Sequence, residues 1–287
     1  NISVPAIFTH ATEEVKRKVL PDLLRGTKRS CLCITEPDAG SDVANLTTEA
    51  KKGKNAKGEA GYFLSGTKKW ITNGFFADYY VVACRTGGKG GKGISLVLAE
   101  HNNGFVDRHK IETQGMRGSG SSLINFDELF VPASHILGRE NDGFKGIVSN
   151  FNHERLAIIY QALRLSRVVI EDCMSWAHQR ETFGVKLIEH AVIRQKLGVM
   201  SGRVEALQAW VNDLAYQYKT LPPQQAMIKL GGPIATCKAY ATQTMELCAR
   251  EGSQIFGGLS YTRGGKGGRV ERIYREVRAF AIPGGSE

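Results

Sequence analysis

The sequence has no long apolar segment, and its cysteines lack the spacing of a metal site. No window approaches the roughly 18 consecutive apolar residues that a membrane-spanning helix needs, so we predict no membrane span. The 6 cysteines are scattered, without a C-x-x-C pair or a Cys/His grouping of the zinc type, and we predict no metal and buried, reduced thiols. The chain also has no initiator methionine and no signal-peptide pattern, and we expect it to be a fragment without its targeting region.

The composition is that of an ordinary globular protein with a basic surface. Apolar residues make up 42% and charged residues 23%, which argues against a fibrous or disordered chain. Lys and Arg total 38 against 28 Asp and Glu, and the formal net charge is +10. Such a charge is compatible with nucleic acid, lipid headgroups or a polyanionic small molecule. Two groups of lysines are interpreted as solvated loops, with phosphate attraction as the alternative: Lys51, Lys52, Lys54 and Lys57, and Lys89 and Lys92.

The hydrophobic pattern changes near residue 141. Before it, short β-rich runs alternate with turn signals, which is typical of an antiparallel sandwich or barrel. After it, apolar side chains recur at helical spacing, which is typical of a bundle. We therefore predict an α+β fold, with an antiparallel β sandwich or barrel-like domain followed by an α-helical bundle. Strands are predicted over 30–34, 62–64, 79–84, 94–99, 106–110 and 123–131, and helices over 12–24, 143–181, 191–219, 224–251 and 269–280. Val192 is placed on the apolar face of the helix over 191–219, and Pro233 is interpreted as a kink or a late start in the helix over 224–251.

Two turn-containing motifs carry the most chemical information. The first, Cys31-Leu-Cys-Ile-Thr-Glu-Pro-Asp-Ala-Gly-Ser-Asp42, is a predicted strand that ends in a Pro/Gly turn. Thr35 and Ser41 offer O–H donors, and Gly40 allows backbone N–H groups to come close to a ligand. The second, Lys68-Lys-Trp-Ile-Thr-Asn-Gly74, places an aromatic ring beside a threonine and a tight turn, which suits packing on a flat ring system. Taken singly, the first motif is better explained as an ordinary turn and the second as part of the core around Trp70.

Together, and at this separation, the two motifs resemble the acyl-CoA dehydrogenase family of flavoenzymes. The resemblance continues in order over essentially the whole chain, so chance agreement is excluded. Further matching segments are Gly115-Met-Arg-Gly-Ser119, Phe130-Val-Pro132, Ile136-Leu-Gly138, Asn141-Asp-Gly-Phe144, His153-Glu-Arg-Leu156, Gln179-Arg-Glu-Thr-Phe-Gly184 and Gln254-Ile-Phe-Gly-Gly258.

The resemblance implies a domain organisation and a reaction. Residues 1–28 are the expected end of an N-terminal helical domain, 29–140 the β domain on the flavin-ring side, and 141–287 the C-terminal helical bundle. The implied reaction converts an acyl-CoA to a trans-2-enoyl-CoA: a carboxylate removes the α-proton while hydride leaves the β-carbon for flavin N5. Because that proton is weakly acidic and amino acids cannot accept the electrons, the chemistry needs a positioned base and the cofactor FAD.

The same resemblance implies partners and a location. Electron-transfer flavoprotein is the expected electron acceptor, and the chain is expected to form a homo-oligomer, as a dimer of dimers. A mitochondrial or peroxisomal location is expected in a eukaryote and a cytoplasmic one in a bacterium.

Two groups of cofactor-binding residues follow position by position from the resemblance. One lines the isoalloxazine ring, and the other reaches the adenosine and pyrophosphate of a neighbouring subunit's FAD. Arginine suits pyrophosphate because its planar fork gives two donors to one anion. Without the other motifs, Arg180 would be interpreted as a surface residue and Gly257-Gly258 as a helix terminator. The first group is Leu32, Ile34, Thr35, Trp70 and Thr72, with Gly40 and Ser41 near the flavin and the acyl chain; the second is Arg180, Phe183, Gln254, Gly257 and Gly258, and Ser286 is also assigned to the cofactor.

The catalytic base is predicted from both the resemblance and the periodicity. Many family members place a glutamate at the position of Gly284, which cannot accept a proton, and Glu287 nearby is not predicted to replace it. A minority, the isovaleryl and long-chain types, use a Glu-Arg pair at the start of an apolar helical run, here Glu154-Arg155. Asn152 and Arg155 match positions near the CoA moiety, and Gly284 is assigned to the substrate site.

Glu154 also falls on the apolar stripe of its predicted helix. Burial there raises the pKa of a carboxyl toward that of a useful base. The alternative is that Glu154 pairs with a buried arginine. The stripe consists of Ile147, Phe151, Glu154, Ile158, Ala162, Leu165 and Val169.

Departures from the family pattern indicate an uncommon subfamily. Leu259-Ser260 follow the Gly-Gly pair where Asn-Gly is common, Ala191 replaces a common glutamine, and the glycine-rich run 264–268 is unusual. Two other functions stay open. A basic relative that binds nucleic acid is disfavoured because the basic residues are dispersed and lack interleaved aromatics. An oxidase that returns electrons to O₂ differs in its acceptor, and its nitroalkane form would need an aspartate at position 284.

Overall fold

The change in hydrophobic pattern predicts a β-rich segment followed by helices, and the structure has these segments in that order. The computed structural model describes residues 2–285, apart from the Ser149 side chain. The chain divides into two compact units, the first up to Thr113 with Arg117–Asn150, the second Gln114–Met116 with the chain from Phe151 onward. The first unit carries the β-sheet and the second is helical, which confirms the predicted α+β class.

The first unit consists of two short helices and a seven-stranded sheet. Helix α2 (Glu13–Arg25) begins where predicted, because the Thr12 hydroxyl accepts a hydrogen bond from the backbone N of Val15 at 3.3 Å. Helix α1 (Val4–His10), with proline in its first turn, was not predicted. The strands are β1 (Ser30–Cys33), β2 (Glu49–Lys54), β3 (Ala60–Ile71), β4 (Tyr79–Arg85), β5 (Ile94–Glu100), β6 (Val106–Lys110) and β7 (Ser122–Pro132).

The sheet is mainly antiparallel, as predicted, but it also contains parallel pairs that the sequence did not indicate. Strands run in the order β1-β4-β2-β3-β7-β6, with β5 paired to β4. Strand β1 pairs with β4 in parallel, β2 meets β4 in parallel at one residue pair, and the other pairs are antiparallel. Parallel pairing needs a long crossover, and the chain between β1 and β4 supplies one because it contains β2 and β3.

Strand β2 occupies a segment that the sequence analysis interpreted as a lysine-rich loop. Lys51, Lys52 and Lys54 lie in this strand, and only Ala50 of β2 is fully buried, so its charges hide the strand period. Exposed lysines are favoured on strands with a largely unpaired edge. Lys51 pairs with Glu49 at 3.1 Å and Lys52 pairs with Glu140 at 2.8 Å, so these charges are partnered within the protein.

The second unit is a helical bundle that departs from the prediction in two details. The helix predicted over 224–251 is two helices that break at Leu230, and Pro233 is the third residue of the second, which confirms the predicted late start. Val192 was placed on the buried face but is 54% exposed, and Ile193 takes its place. The elements are α3 (Gly143–Gln179), β8 (Glu181–Thr182), β9 (Val185–Lys186), α4 (Ala191–Thr220), α5 (Pro223–Lys229), α6 (Gly231–Phe256) and α7 (Gly268–Ala281).

All 6 cysteines are free and buried, as predicted. Within residues 2–285, no helix is long and apolar enough to cross a membrane, and no group of three or more His, Cys, Asp or Glu side chains is placed to hold a metal ion.

Candidate functional site

The two sequence motifs meet in the first unit, where β1 ends beside the end of β3. The backbone N of Lys69 donates to the carbonyl O of Thr35 at 2.9 Å. The Nζ of Lys68 donates to the carbonyl O of Ile34, also at 2.9 Å. The structure therefore brings together the residues of both motifs that were assigned to the flavin ring.

Trp70 is an exposed tryptophan on strained backbone. Its φ is 63°, in the left-handed region that bulky residues avoid, and the β3–β7 register shifts between Lys68 and Ile71. Its side chain is 56% exposed, and the Lys69 ammonium lies 4.8 Å from its ring centroid. Trp70 is thus not a core residue, and strained backbone of this kind is concentrated at ligand sites.

Three hydroxyl groups of the two motifs have no hydrogen-bond partner among residues 2–285. They belong to Thr35, Ser41 and Thr72, which were all assigned to the cofactor. A Cβ built on the exposed Gly40 would meet no atom within 4 Å, so the protein's own packing does not require a glycine there. Among the aliphatic members of the group, Ile34 is buried and Leu32 is half-buried.

A buried ion pair, which the sequence analysis missed, lies behind these groups. Lys68 and Glu36 are joined at 2.9 Å, with side chains 0% and 3% exposed. Burial alone would raise the pKa of the Glu36 carboxyl, but the Lys68 charge and hydrogen bonds from Thr48, Lys68 and Thr47 lower it to about 2. Burial lowers the pKa of Lys68, against the opposing effect of Glu36. The available signal was the period of β3, which puts Lys68 on the same face as the buried Tyr62 and Leu64.

Glu154 lies in the first half of α3, on the stripe predicted from periodicity. Its side chain is buried, with 9% of the residue exposed, as are Ile147 and Ala162 on the same stripe. Burial raises the pKa of the Glu154 carboxyl to about 7, and the nearby charge of Arg155 opposes that rise in part. A carboxyl with this pKa is half ionised near neutral pH, which suits a general base.

The C-terminal segment packs against α3 beside Glu154. The Nε of Arg155 donates to the carbonyl O of Gly284 at 2.6 Å. A Cβ on Gly284 would lie 3.1 Å from Cδ1 of Ile158, one helical turn after Glu154, and φ at Gly284 is 72°. Both the space and the backbone therefore favour glycine at position 284. The two positions at which the resemblance places a base thus lie close together in the second unit, and here only residue 154 has a carboxylate.

Asn152 and Lys238 are further buried polar side chains of the second unit. Asn152, assigned to the CoA moiety, is 6% exposed, and its Nδ2 donates at 3.4 Å to the carbonyl O of Met227, near the break between α5 and α6. Lys238 of α6 is 1% exposed and donates to the carbonyl O atoms of Ala281 and Gly285. Lys238 was missed, although it follows the buried Ile234 by one helical turn, the same signal that singled out Glu154.

Arg180 and Phe183 lie where α3 ends and the β8–β9 hairpin begins. Phe183 and Gly184 form its two-residue turn, with φ of 52° and 80°, and Phe183 is 96% exposed. Arg180 is exposed, and within residues 2–285 its guanidinium has no acidic or hydrogen-bonding partner. By contrast, Arg164 on the same helix is paired with Glu171 at 2.7 Å.

The remaining assigned residues lie at the end of α6. Gln254 is exposed in its last turn, and Gly257, with φ of 61°, ends the helix. Gly258 follows in an exposed 3₁₀ turn. Gly257 therefore does terminate a helix, a role compatible with an exposed ligand site. Ser286 and Glu287 lie outside the described residues.

Comparison of this chain with known protein families identifies the family to which it belongs. Residues 31–129 match the sequence model of the acyl-CoA dehydrogenase middle domain, and residues 141–287 match that of the acyl-CoA dehydrogenase C-terminal domain. The chain belongs to the acyl-CoA dehydrogenase family.

Relatives of known name agree with this membership. Acyl-CoA dehydrogenase apdG of Emericella nidulans is 41% identical over 284 residues, which cover 99% of this chain and 64% of that protein. Acyl-CoA dehydrogenase AFT10-1 of Alternaria alternata is 42% identical over 289 residues, covering 100% and 66%. The solved butyryl-CoA dehydrogenase of Megasphaera elsdenii is 30% identical with a TM-score of 0.88, covering 99% and 72%. The chain thus spans slightly less than two thirds of these two fungal acyl-CoA dehydrogenases.

Acyl-CoA dehydrogenases are flavoproteins, and the residues present in this member fit FAD. The unpartnered hydroxyls of Thr35, Ser41 and Thr72 are free to donate to or accept from a flavin. The exposed indole of Trp70 offers a flat surface to a ring system. At the end of α3, the unpartnered guanidinium of Arg180 is suited to a pyrophosphate.

Proposed function

We propose that this protein is an FAD-dependent acyl-CoA dehydrogenase that converts an acyl-CoA thioester to the trans-2-enoyl-CoA, with Glu154 as the catalytic base. The observation that carries the proposal is the Glu154 carboxyl, buried on the apolar stripe of α3 with its pKa raised to about 7. Burying an ionised carboxylate is costly, and the cost appears as a raised pKa that allows the group to exchange a proton near neutral pH.

Glu154 is proposed to remove the α-proton of the bound thioester. Because burial keeps water away, its carboxylate is a stronger base than an exposed glutamate and remains partly ionised at neutral pH. Arg155 is held by the Gly284 carbonyl, and its charge limits the rise in the pKa of Glu154. When bound, FAD supplies the acceptor for the hydride that leaves the β-carbon.

Cofactor binding is proposed to involve both groups of residues named above. Thr35, Ser41, Thr72 and Trp70 would hold the isoalloxazine side, supported by their free hydroxyls and exposed indole. Arg180 would meet the pyrophosphate of a neighbouring subunit's FAD. This assignment is supported by its unpartnered guanidinium and by the 96% exposure of Phe183 beside it, a large apolar surface that an oligomer would cover.

The test is the variant Glu154→Gln in the full chain. We expect it to bind FAD and keep the yellow oxidised spectrum, but to lose flavin bleaching by acyl-CoA at least about a thousandfold, because the amide cannot accept the proton. Anaerobic stopped-flow absorbance with a panel of straight and branched acyl-CoAs measures this and identifies the preferred chain. The matched control is Glu171→Gln, an exposed glutamate of the same helix, which should bleach like wild type. Bleaching of Glu154→Gln at a near-normal rate would show that another group is the base.

The electron acceptor is proposed to be electron-transfer flavoprotein. An oxidase would instead consume O₂ in proportion to acyl-CoA, so oxygen consumption and reduction of electron-transfer flavoprotein, measured on the same preparation, separate the two. Nucleic-acid binding is not favoured, because Lys51 and Lys52, two of the clustered lysines, are ion-paired within the protein. Affinity for DNA that falls steeply with salt would contradict this assignment.

A further inference from the structure

The buried pair Glu36–Lys68 contacts the backbone of residues that are assigned to the flavin ring. In the described part of the chain, it does not contact the side chains through which those residues are proposed to bind the cofactor. Lys68 Nζ reaches Glu36 Oε1 and the carbonyl O of Ile34, both at 2.9 Å. The Lys68 ammonium therefore binds the residue before Thr35 through its backbone carbonyl and the residue after Thr35 through its carboxylate.

The carboxylate of Glu36 is itself fixed from a second direction. It accepts hydrogen bonds from the backbone N of Thr47 at 2.7 Å, the Thr47 hydroxyl at 2.7 Å and the backbone N of Thr48 at 2.9 Å. Charged hydrogen bonds of this kind are short and directional. Thr35 therefore lies between two anchored neighbours, and its own carbonyl is held by Lys69. The Thr35 hydroxyl, by contrast, has no partner within residues 2–285.

Lys68 is the last residue of β3 before the strand leaves its register with β7. It pairs with Ile124 of β7, and the register shift to Ile71 follows directly. Trp70, with its left-handed backbone and exposed indole, lies inside that shift. A bulge re-aims the side chains that it contains, so its starting residue determines where the indole is presented.

We propose that Lys68 and Glu36 are positioning residues that hold the Thr35 hydroxyl and the Trp70 indole in the arrangement that receives the flavin ring. The inference rests on the proposed function, since it needs FAD as the ligand. Neither residue is assigned a contact with the flavin. Their charges cancel within the pair, so their effect is on geometry rather than on the net charge of the site.

The test replaces both charges at once, with Lys68→Met/Glu36→Gln in the full chain. Removing only one charge would leave its buried partner uncompensated and risks unfolding, whereas a neutral pair of similar size is commonly tolerated. The matched control is Lys18→Met/Glu100→Gln, the same chemistry in an exposed pair joined at 2.6 Å in the same unit. Circular dichroism and thermal unfolding of the apoprotein report the fold, and flavin titration without substrate reports FAD affinity and the flavin spectrum.

We expect the neutral variant to fold like wild type, to bind FAD at least about tenfold more weakly and to show a shifted flavin absorption band, while the control is unchanged. Wild-type affinity and spectrum in a folded neutral variant would overturn the proposal and leave the pair a purely structural role. Absence of FAD binding by the wild-type chain would instead refute the proposed function itself.

A double-mutant cycle separates positioning from loss of stability. Thr35→Val removes the hydroxyl and should weaken FAD binding in the wild-type background. If the pair positions that hydroxyl, the same change should cost severalfold less in the neutral-pair background. Equal losses in both backgrounds would refute positioning through Thr35. Should the neutral pair fail to fold, Glu36→Asp, which keeps both charges but draws the carboxylate back by one methylene, carries the same cycle and the same two outcomes.

Discussion

The raised pKa of Glu154 predicts a measurable dependence of stability on pH. The folded protein holds the proton of this carboxyl up to a pKa of about 7, whereas the unfolded chain releases it near the model-peptide value of 4.5. Between these two values the folded state binds more protons, so its stability falls as pH rises. Since each pKa unit corresponds to about 1.4 kcal/mol, ionising Glu154 costs the fold about 3 kcal/mol above pH 7.

Glu154→Gln removes this cost because the amide stays neutral at every pH. The free-energy advantage of the variant over wild type should therefore grow by about 2 to 3 kcal/mol between roughly pH 5 and roughly pH 8. Comparing the two proteins at each pH cancels the titration of all other groups. Urea unfolding of the apoprotein followed by circular dichroism measures both free energies.

The control for this measurement is Glu171→Gln, on the same helix but exposed. Its carboxyl has a lowered pKa because of a hydrogen bond from Arg164, so the ionised form is favoured in the folded protein. Its variant should gain nothing as pH rises. If the advantage of Glu154→Gln were also constant across this range, Glu154 would titrate in the fold as it does in an unfolded chain, and the reasoning from burial to basicity would be refuted.

Two further predictions concern the oligomer and the sheet. Because Arg180 is proposed to serve a neighbouring subunit's FAD, Arg180→Ala should weaken FAD binding at least about tenfold, and dilution that dissociates the wild-type oligomer should release flavin; sedimentation with flavin fluorescence measures both, and a monomer with stoichiometric FAD would contradict this. A Cβ on Gly61 would lie 2.4 Å from the carbonyl O of Val131, so Gly61→Ala should destabilise the protein by about 1 to 3 kcal/mol in thermal unfolding, whereas Gly88→Ala, where no atom lies within 4 Å, should not.

The helical unit was more predictable than the sheet because its hydrophobic pattern repeats over more residues. The buried face of α4 recurs seven times, from Ile193 to Leu214, and only its first member was misassigned. A strand offers few repeats, and β2 has a single fully buried residue, Ala50, among lysines. The parallel pairing of β1 with β4 joins residues about fifty positions apart, and no local pattern encodes such a contact. The position and pairing of such strands are therefore determined by tertiary contacts, which short-range sequence patterns do not contain.

Buried polar residues on an apolar stripe show what hydrophobic periodicity can predict about a site and what it cannot. Glu154, Lys238 and Lys68 each occupy a position that periodicity marks as buried, and all three are buried in the structure. The pattern marks each as costly but does not reveal what compensates it. The structure shows that Lys68 pairs with a carboxylate and that Lys238 donates to backbone carbonyls, and that burial raises the pKa of Glu154 to about 7. A carboxyl with a pKa of about 7 exchanges its proton readily near neutral pH, which makes Glu154 the candidate base.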